Sequence, residues 1–157
     1  MILYHGTDKS HLPSIIKDGL IGIDADGKIN RDMGIVVLTS SRSYAMEFAF
    51  RSPYSEKPND KPILLQYSIS NEILYNMAKK NKLNFGYYLR EDGEPNFIAK
   101  TIQRTSLQDF NKKLLHSGAL WWQGDDGSLP TQYLQKIEED KNGQWTDKTS
   151  EKNKVIE

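Results

Sequence analysis

The residues best suited to chemistry in this chain are two short polar runs, each at the end of an apolar, strand-like run. Ile2-Leu3-Tyr4 leads into His5-Gly6-Thr7, and Ile35-Val36-Val37-Leu38 leads into Thr39-Ser40-Ser41. Short apolar runs rich in β-branched and aromatic residues favour extended backbone. Each polar run is therefore expected at a strand end. If the two ends face one another, they make a cleft suited to a dinucleotide. Gly6 has no Cβ, so a ligand can approach its backbone closely. The N–H and C=O there match a carboxamide such as nicotinamide, while His5 and Thr7 offer hydrogen bonds to ribose hydroxyls. On residue types alone, a buried and hydrogen-bonded histidine explains His5 at least as well.

The surrounding elements must hold these runs in place. Ser10 is a candidate helix cap. Leu12, Ile15, Ile16 and Leu20 recur at helical spacing, with Pro13 in the first turn and Gly19 near the stop. Residues 22–33 read as a loop. After Ser41, Tyr44, Ala45, Phe48 and Ala49 share one face of a helix. Residues 52–62 hold three prolines and read as a loop, and 63–69 as a strand. Residues 71–80 and 106–115 read as helices, 120–123 as a strand, 124–128 as a turn, and 129–137 as a short helix or final strand. The stretch 82–95 mixes aromatics with polar residues and has no clear assignment. The expected organisation is one domain over 1–138 and a charged, mobile tail over 139–157.

Composition sets wide limits. The chain has 157 residues, 37% of them hydrophobic and 27% charged, the profile of an ordinary wet-surfaced domain. Its 21 basic and 21 acidic residues cancel, so bulk charge gives no argument for nucleic acid and none against a local basic groove. Cysteine is absent, which removes disulfides, thiolate metal sites and thiol catalysis. With three histidines and no His-x-x-x-His pair, no zinc site is expected. Nothing reads as a signal peptide or a membrane span, so a cytoplasmic protein is expected.

The run Leu3-Tyr4-His5-Gly6-Thr7, continued by Leu12-Pro13-Ser14-Ile15-Ile16 and Gly19-Leu20, resembles the first motif of the ADP-ribosyltransferase superfamily. Its spacing is closest to that of the DarT-type toxins, which modify DNA bases. The segment Val37-Leu38-Thr39-Ser40-Ser41-Arg42-Ser43-Tyr44-Ala45-Met46 resembles the second motif. The likeness covers roughly the first 50 residues; beyond them it extends only to strand order. It implies an α+β fold of split, mixed β-sheets around an NAD⁺ cleft, with short flanking helices. It also implies NAD⁺ as substrate and no metal. His5 would contact the adenosine-side ribose, Gly6 the nicotinamide amide, and Thr7 would fix the loop. Thr39, Ser40 and Ser41 would join the NAD⁺-binding set, the serines near the nicotinamide ribose, with Tyr44 or Phe48 closing the pocket. Arg42 matches the catalytic arginine of the DarT group, and a guanidinium there suits a pyrophosphate or an acceptor base.

The chain departs from the family's pattern in two ways. The tyrosine that many members carry on the second strand is replaced by valine at Val36-Val37. The acid is also missing. Nicotinamide leaves the ribose through a cationic, oxocarbenium-like state that a nearby carboxylate stabilises. The family's glutamate lies about a dozen residues before a Pro-x-x-Tyr-Leu segment, present here as Pro130-Thr131-Gln132-Tyr133-Leu134. Counting back reaches Gly118-Ala119-Leu120-Trp121-Trp122-Gln123, with no glutamate. Three explanations stay open: a silencing replacement at Ala119, a partial role for Gln123 or Asp125, or a natural binder of NAD⁺ or ADP-ribose without turnover.

Trp121 and Trp122 must face opposite sides of a strand. An exposed indole would suit base stacking, although core packing explains both rings. Tyr87 and Tyr88 beside Arg90 pose the same choice. The resemblance implies transfer of ADP-ribose to a DNA or RNA base, single-stranded nucleic acid being the expected partner, with a protein acceptor as the alternative. It further implies a toxin or anti-phage role and an antitoxin partner, with no membrane association. A third reading is removal of an RNA 2′-phosphate using NAD⁺, for which Arg42 and Arg51 could supply cleft cations.

Overall fold

A computed structural model describes residues 1–24, 26–32, 34–52, 55–86, 106–116 and 118–156. Tyr87, Tyr88 and Arg90 lie outside the described residues. Strand β1 (Ile2–Asp8) is central, with Leu3 fully buried. The strand does not end at Tyr4, as the sequence suggests, but continues through His5-Gly6-Thr7 to Asp8. The reason is β4 (Pro62–Ser68), which pairs antiparallel with it from Ile2↔Ser68 to Asp8↔Pro62. Asp8 then turns the chain: its carboxylate accepts from the N–H groups of Ser10 and Lys61, both at 2.9 Å. Ser10, expected as a helix cap, lies inside the short 3₁₀ turn Lys9–His11 instead.

Helix α1 (Leu12–Asp18) buries Leu12, Ile15 and Ile16, with Pro13 in its first turn, where a missing N–H costs nothing. Two-residue strand β2 (Leu20–Ile21) follows, then β3 (Val36–Thr39) and α2 (Arg42–Phe50). Helix α3 (Asn71–Lys79) is capped by the Ser70 hydroxyl, and β5 (Leu83–Gly86) comes from the stretch that had no sequence assignment. Next come α4 (Leu107–His116), β6 (Ala119–Trp122) and β7 (Ser128–Leu129). Strands β8 (Leu134–Lys141) and β9 (Gln144–Asp147) and helix α5 (Glu151–Ile156) end the chain.

The strands form a seven-stranded sheet in the order β5-β6-β3-β1-β4-β8-β9, and β2 pairs with β7 as a separate ribbon. The class is α+β. The pairings among these strands are antiparallel, where a mixed sheet was expected. One face of the sheet carries the main core: Leu3, Leu65, Tyr67 and Ile137 with Leu12, Ile15 and Ile16 of α1, Leu74 of α3, and Phe110 and Leu114 of α4.

Helix α2 takes the other face. Gly6, Leu64 and Glu138 are neighbours in one row across β1, β4 and β8. Over that row the helix backbone comes down on Gly6. A Cβ there would stand 2.1 Å from the Ala45 carbonyl oxygen and 2.5 Å from the Ala49 nitrogen. Ala45 and Ala49 are themselves buried, so small residues on both elements permit this close approach.

Residues 139–156, expected as a mobile tail, belong to the fold. Asn142 and Gly143, at φ 53° and 87°, turn β8 into β9. Positive φ at both central residues matches the twist of an antiparallel hairpin. Glu139 is 5% exposed and pairs with Lys9 at 3.2 Å. Lys9 also reaches Glu151 of α5 at 3.5 Å. The Lys152 ammonium donates to the Leu134 carbonyl at 2.9 Å. A high charge count conceals the burial of Leu134, Ile137 and Glu139 on alternate or nearly alternate positions.

Candidate functional site

The feature that brings polar residues together is a parting in the sheet. Strands β1 and β3 share a single pair, Tyr4↔Thr39. Beyond it, β1 follows β4 while β3 follows β6 from Thr39↔Ala119 to Val36↔Trp122. The His5 ring reaches across the start of this gap, with Nδ1 2.8 Å from the Val37 carbonyl oxygen. A carbonyl can only accept, so Nδ1 carries the proton and donates. In the neutral ring, Nε2 is then left as an acceptor suited to a hydroxyl.

His5 is half-buried, and lost hydration around its ring holds its pKa below the ordinary 6.5. The Val37 bond opposes this and the charge of His11 adds to it. The fold therefore favours neutral imidazole. Its contribution to stability is complete above about pH 6.5 and is lost as pH falls below that value, because the unfolded chain takes up the proton first. An NMR titration of the ring is expected to give a midpoint below 6.5; a midpoint at or above it would contradict the burial argument.

Thr39 closes the gap. It is buried, donates its hydroxyl proton to the Gly118 carbonyl at 2.7 Å, and accepts from the Ser41 N–H at 3.0 Å. This geometry assigns it to holding the backbone, where a ligand contact was expected. Ser40 is exposed and Ser41 half-buried; the Ser41 hydroxyl caps α2 by accepting from the Tyr44 N–H at 3.2 Å. Tyr44 and Phe48 pack edge to face, 4.8 Å between centroids, and both are half-buried. Gly6 differs from expectation. Helix α2 occupies the space its missing side chain leaves, so a ligand could reach its backbone only along the strand edge facing β3. Thr7, beside it, is half-buried.

The three residues expected to carry the chemistry do not converge. Ala119, 8% exposed, opens β6 opposite Thr39 and so stands beside the Thr39-Ser40-Ser41 run. Gln123 follows the other end of β6, about 13 Å away at roughly 3.3 Å per residue. Its side-chain amide donates to the Asp32 carbonyl at 3.2 Å. Asp125 is exposed in the turn that follows. Neither occupies the place of an acid at Ala119.

Arg42 points away towards β8. Its guanidinium bonds to Glu138, lies 6.0 Å from the centre of the Trp145 ring, and sits 3.4 Å from the Met46 sulfur. Lys136 bonds the other oxygen of Glu138 at 2.9 Å. Burial pushes the Glu138 carboxyl up, but the bonds from Lys136 and Arg42 outweigh it and hold the pKa below the ordinary value. This cluster ties α2 to the last two strands. The sequence does not reveal it, because Glu138 stands at the border of the expected tail and Trp145 within it. Arg42→Ala is expected to lower stability by about 1 kcal/mol in urea unfolding, a charged bond discounted for its partial exposure. An unchanged midpoint would show that the contact contributes nothing in solution.

The other aromatic and basic candidates separate. Trp122 is in the core with its indole N–H on the Ser128 carbonyl at 3.1 Å, whereas Trp121 is half-buried, opposite Val37, on the face that carries α2. Arg51 donates to the Glu56 carbonyl at 2.6 Å, so Arg42 and Arg51 do not form one cationic set. Among the described residues, no group of three or more His, Asp or Glu side chains is arranged to hold a metal ion, and no helix is long and apolar enough to cross a membrane. No family model, curated protein or solved structure matches the chain.

Proposed function

We propose that this chain is an NAD⁺-binding domain of the ADP-ribosyltransferase type, acting on a macromolecular acceptor, with a DNA or RNA base favoured over a protein side chain. The observation that carries the reading is the parting of β1 and β3 at Tyr4↔Thr39. It leaves His5 on one lip and gathers Ser40, Ser41 and position 119 at the closed end. The motif resemblance independently expects those positions around one dinucleotide.

In the reaction, the bond between ribose C1′ and the nicotinamide nitrogen breaks, and nicotinamide leaves with the bonding pair. The acceptor nucleophile then bonds to C1′ and gives up a proton. His5 would accept a hydroxyl of the adenosine-side ribose through Nε2. A carboxylate at 119 would face the developing charge on the other ribose.

With alanine at 119, binding without rapid turnover is the second reading. Gln123 and Asp125 lie past the far end of β6 and supply no stand-in for the acid, which favours it. Glu138 is four strand spacings from β6, about 19 Å at 4.8 Å per strand. Two measurements test the proposal. NAD⁺ should bind the chain as it stands and shift the His5 ring resonances; no binding at millimolar NAD⁺ would end it. Ala119→Glu should then release nicotinamide.

A further inference from the structure

Thr39 occupies the vertex where four pieces of the site meet. Its backbone pairs with Tyr4 of β1 on one side and Ala119 of β6 on the other. Its hydroxyl bonds the carbonyl of Gly118 and the N–H of Ser41. Gly118 directly precedes position 119, and Ser41 directly follows Ser40. One buried oxygen thus fixes the strand that presents the acid position and the turn that presents the serines. Its single proton is already donated, and the side chain is 4% exposed, so it is not available to a ligand.

We infer that Thr39 is the positioning residue of the transfer site, setting where residue 119 stands relative to Ser40 and Ser41. The inference rests on the ADP-ribosyltransferase-type reading. A carboxylate acting on a charge that develops at one carbon must be placed to within a fraction of an ångström. A displacement of about 1 Å costs on the order of 10²-fold in rate. Without the hydroxyl, the Gly118 carbonyl and the Ser41 N–H lose their shared partner, and the two backbone segments lose their common reference. Valine keeps the shape and removes the hydroxyl; serine keeps the hydroxyl and removes only the methyl.

The test compares Thr39→Val and Thr39→Ser, each combined with Ala119→Glu, following kcat and KM for nicotinamide release and amide hydrogen exchange at Ser41 and residue 119. Thr39→Val is expected to lower kcat on the order of 10²-fold with little change in KM, and to speed exchange at both amides. Thr39→Ser should restore kcat and exchange alike. Retained kcat in Thr39→Val, or failure of serine to restore it, overturns the inference. If the Ala119→Glu chain binds NAD⁺ but releases no nicotinamide, the transfer reading falls, and Thr39 is judged by exchange alone. Unchanged exchange in Thr39→Val then counts against it. Should valine not fold, the unaltered chain still decides: its Ser41 amide must be protected, and rapid exchange there overturns the assignment.

Discussion

Ala119→Glu is expected to raise nicotinamide release from NAD⁺ on the order of 10²–10³-fold over the chain as it stands. The physical basis is the place of residue 119, not the motif alone. It opens β6, pairs with Thr39 on one side and Gly86 on the other, and is 8% exposed. With the ribose seated there, as proposed, little water would compete for its developing charge, and a carboxylate would act strongly. The same burial disfavours an ionised group in the unliganded protein, so stability should fall by roughly 1–3 kcal/mol. Ala119→Gln separates charge from shape: it has nearly the volume of glutamate and should stay near the starting rate. Equal rates for the glutamate and glutamine forms would remove position 119 from the chemistry.

Gly6→Ala should destabilise the fold by about 3 kcal/mol or more, at or beyond the upper end of ordinary overpacking. The added methyl would meet Ala45 O at 2.1 Å, Ala49 N at 2.5 Å and Ala49 Cα at 3.0 Å. These are backbone atoms, so no side-chain rotation relieves the contact; α2 must lift from β1. That movement would also disturb the Arg42–Glu138 tie at the helix start. Urea unfolding gives the measurement, and a loss under about 1 kcal/mol would mean that the helix yields easily. The result bears on function as well, since a glycine kept for a ligand alone would tolerate the methyl in the unliganded protein.

The elements that frame the candidate site were legible because each carries a local signal. Leu12, Ile15 and Ile16 mark α1 by spacing, and the apolar run before Thr39 marks β3. The parting of β1 from β3 was not legible, since it depends on which neighbour each strand follows. Nor was the true use of Gly6, because the atoms that require a glycine belong to a helix some 40 residues on. Arg42 shows the same limit. Its type suits a pyrophosphate, but Glu138 and Trp145, both distant in sequence, decide where it points. The hairpin at Asn142-Gly143 had a strong turn signal. It was overlooked because abundant Lys, Glu and Asp concealed a strand with Ile137 facing the core and Glu139 paired to Lys9.

That late pairing governs how the molecule comes into being. Lys9 and Glu139 are separated by 130 positions, and β1 lies inside a sheet of which one edge, β8 and β9, is made last. Such long-range closure folds slowly. A nascent chain that stops before Leu134 leaves β4 as a bare edge, with Ile63, Leu64 and Leu65 beside unpaired backbone. An exposed apolar edge of this kind is a template for association with other chains. Synthesis of the segment from Leu134 onward is therefore what converts an association-prone intermediate into a protein with a completed sheet.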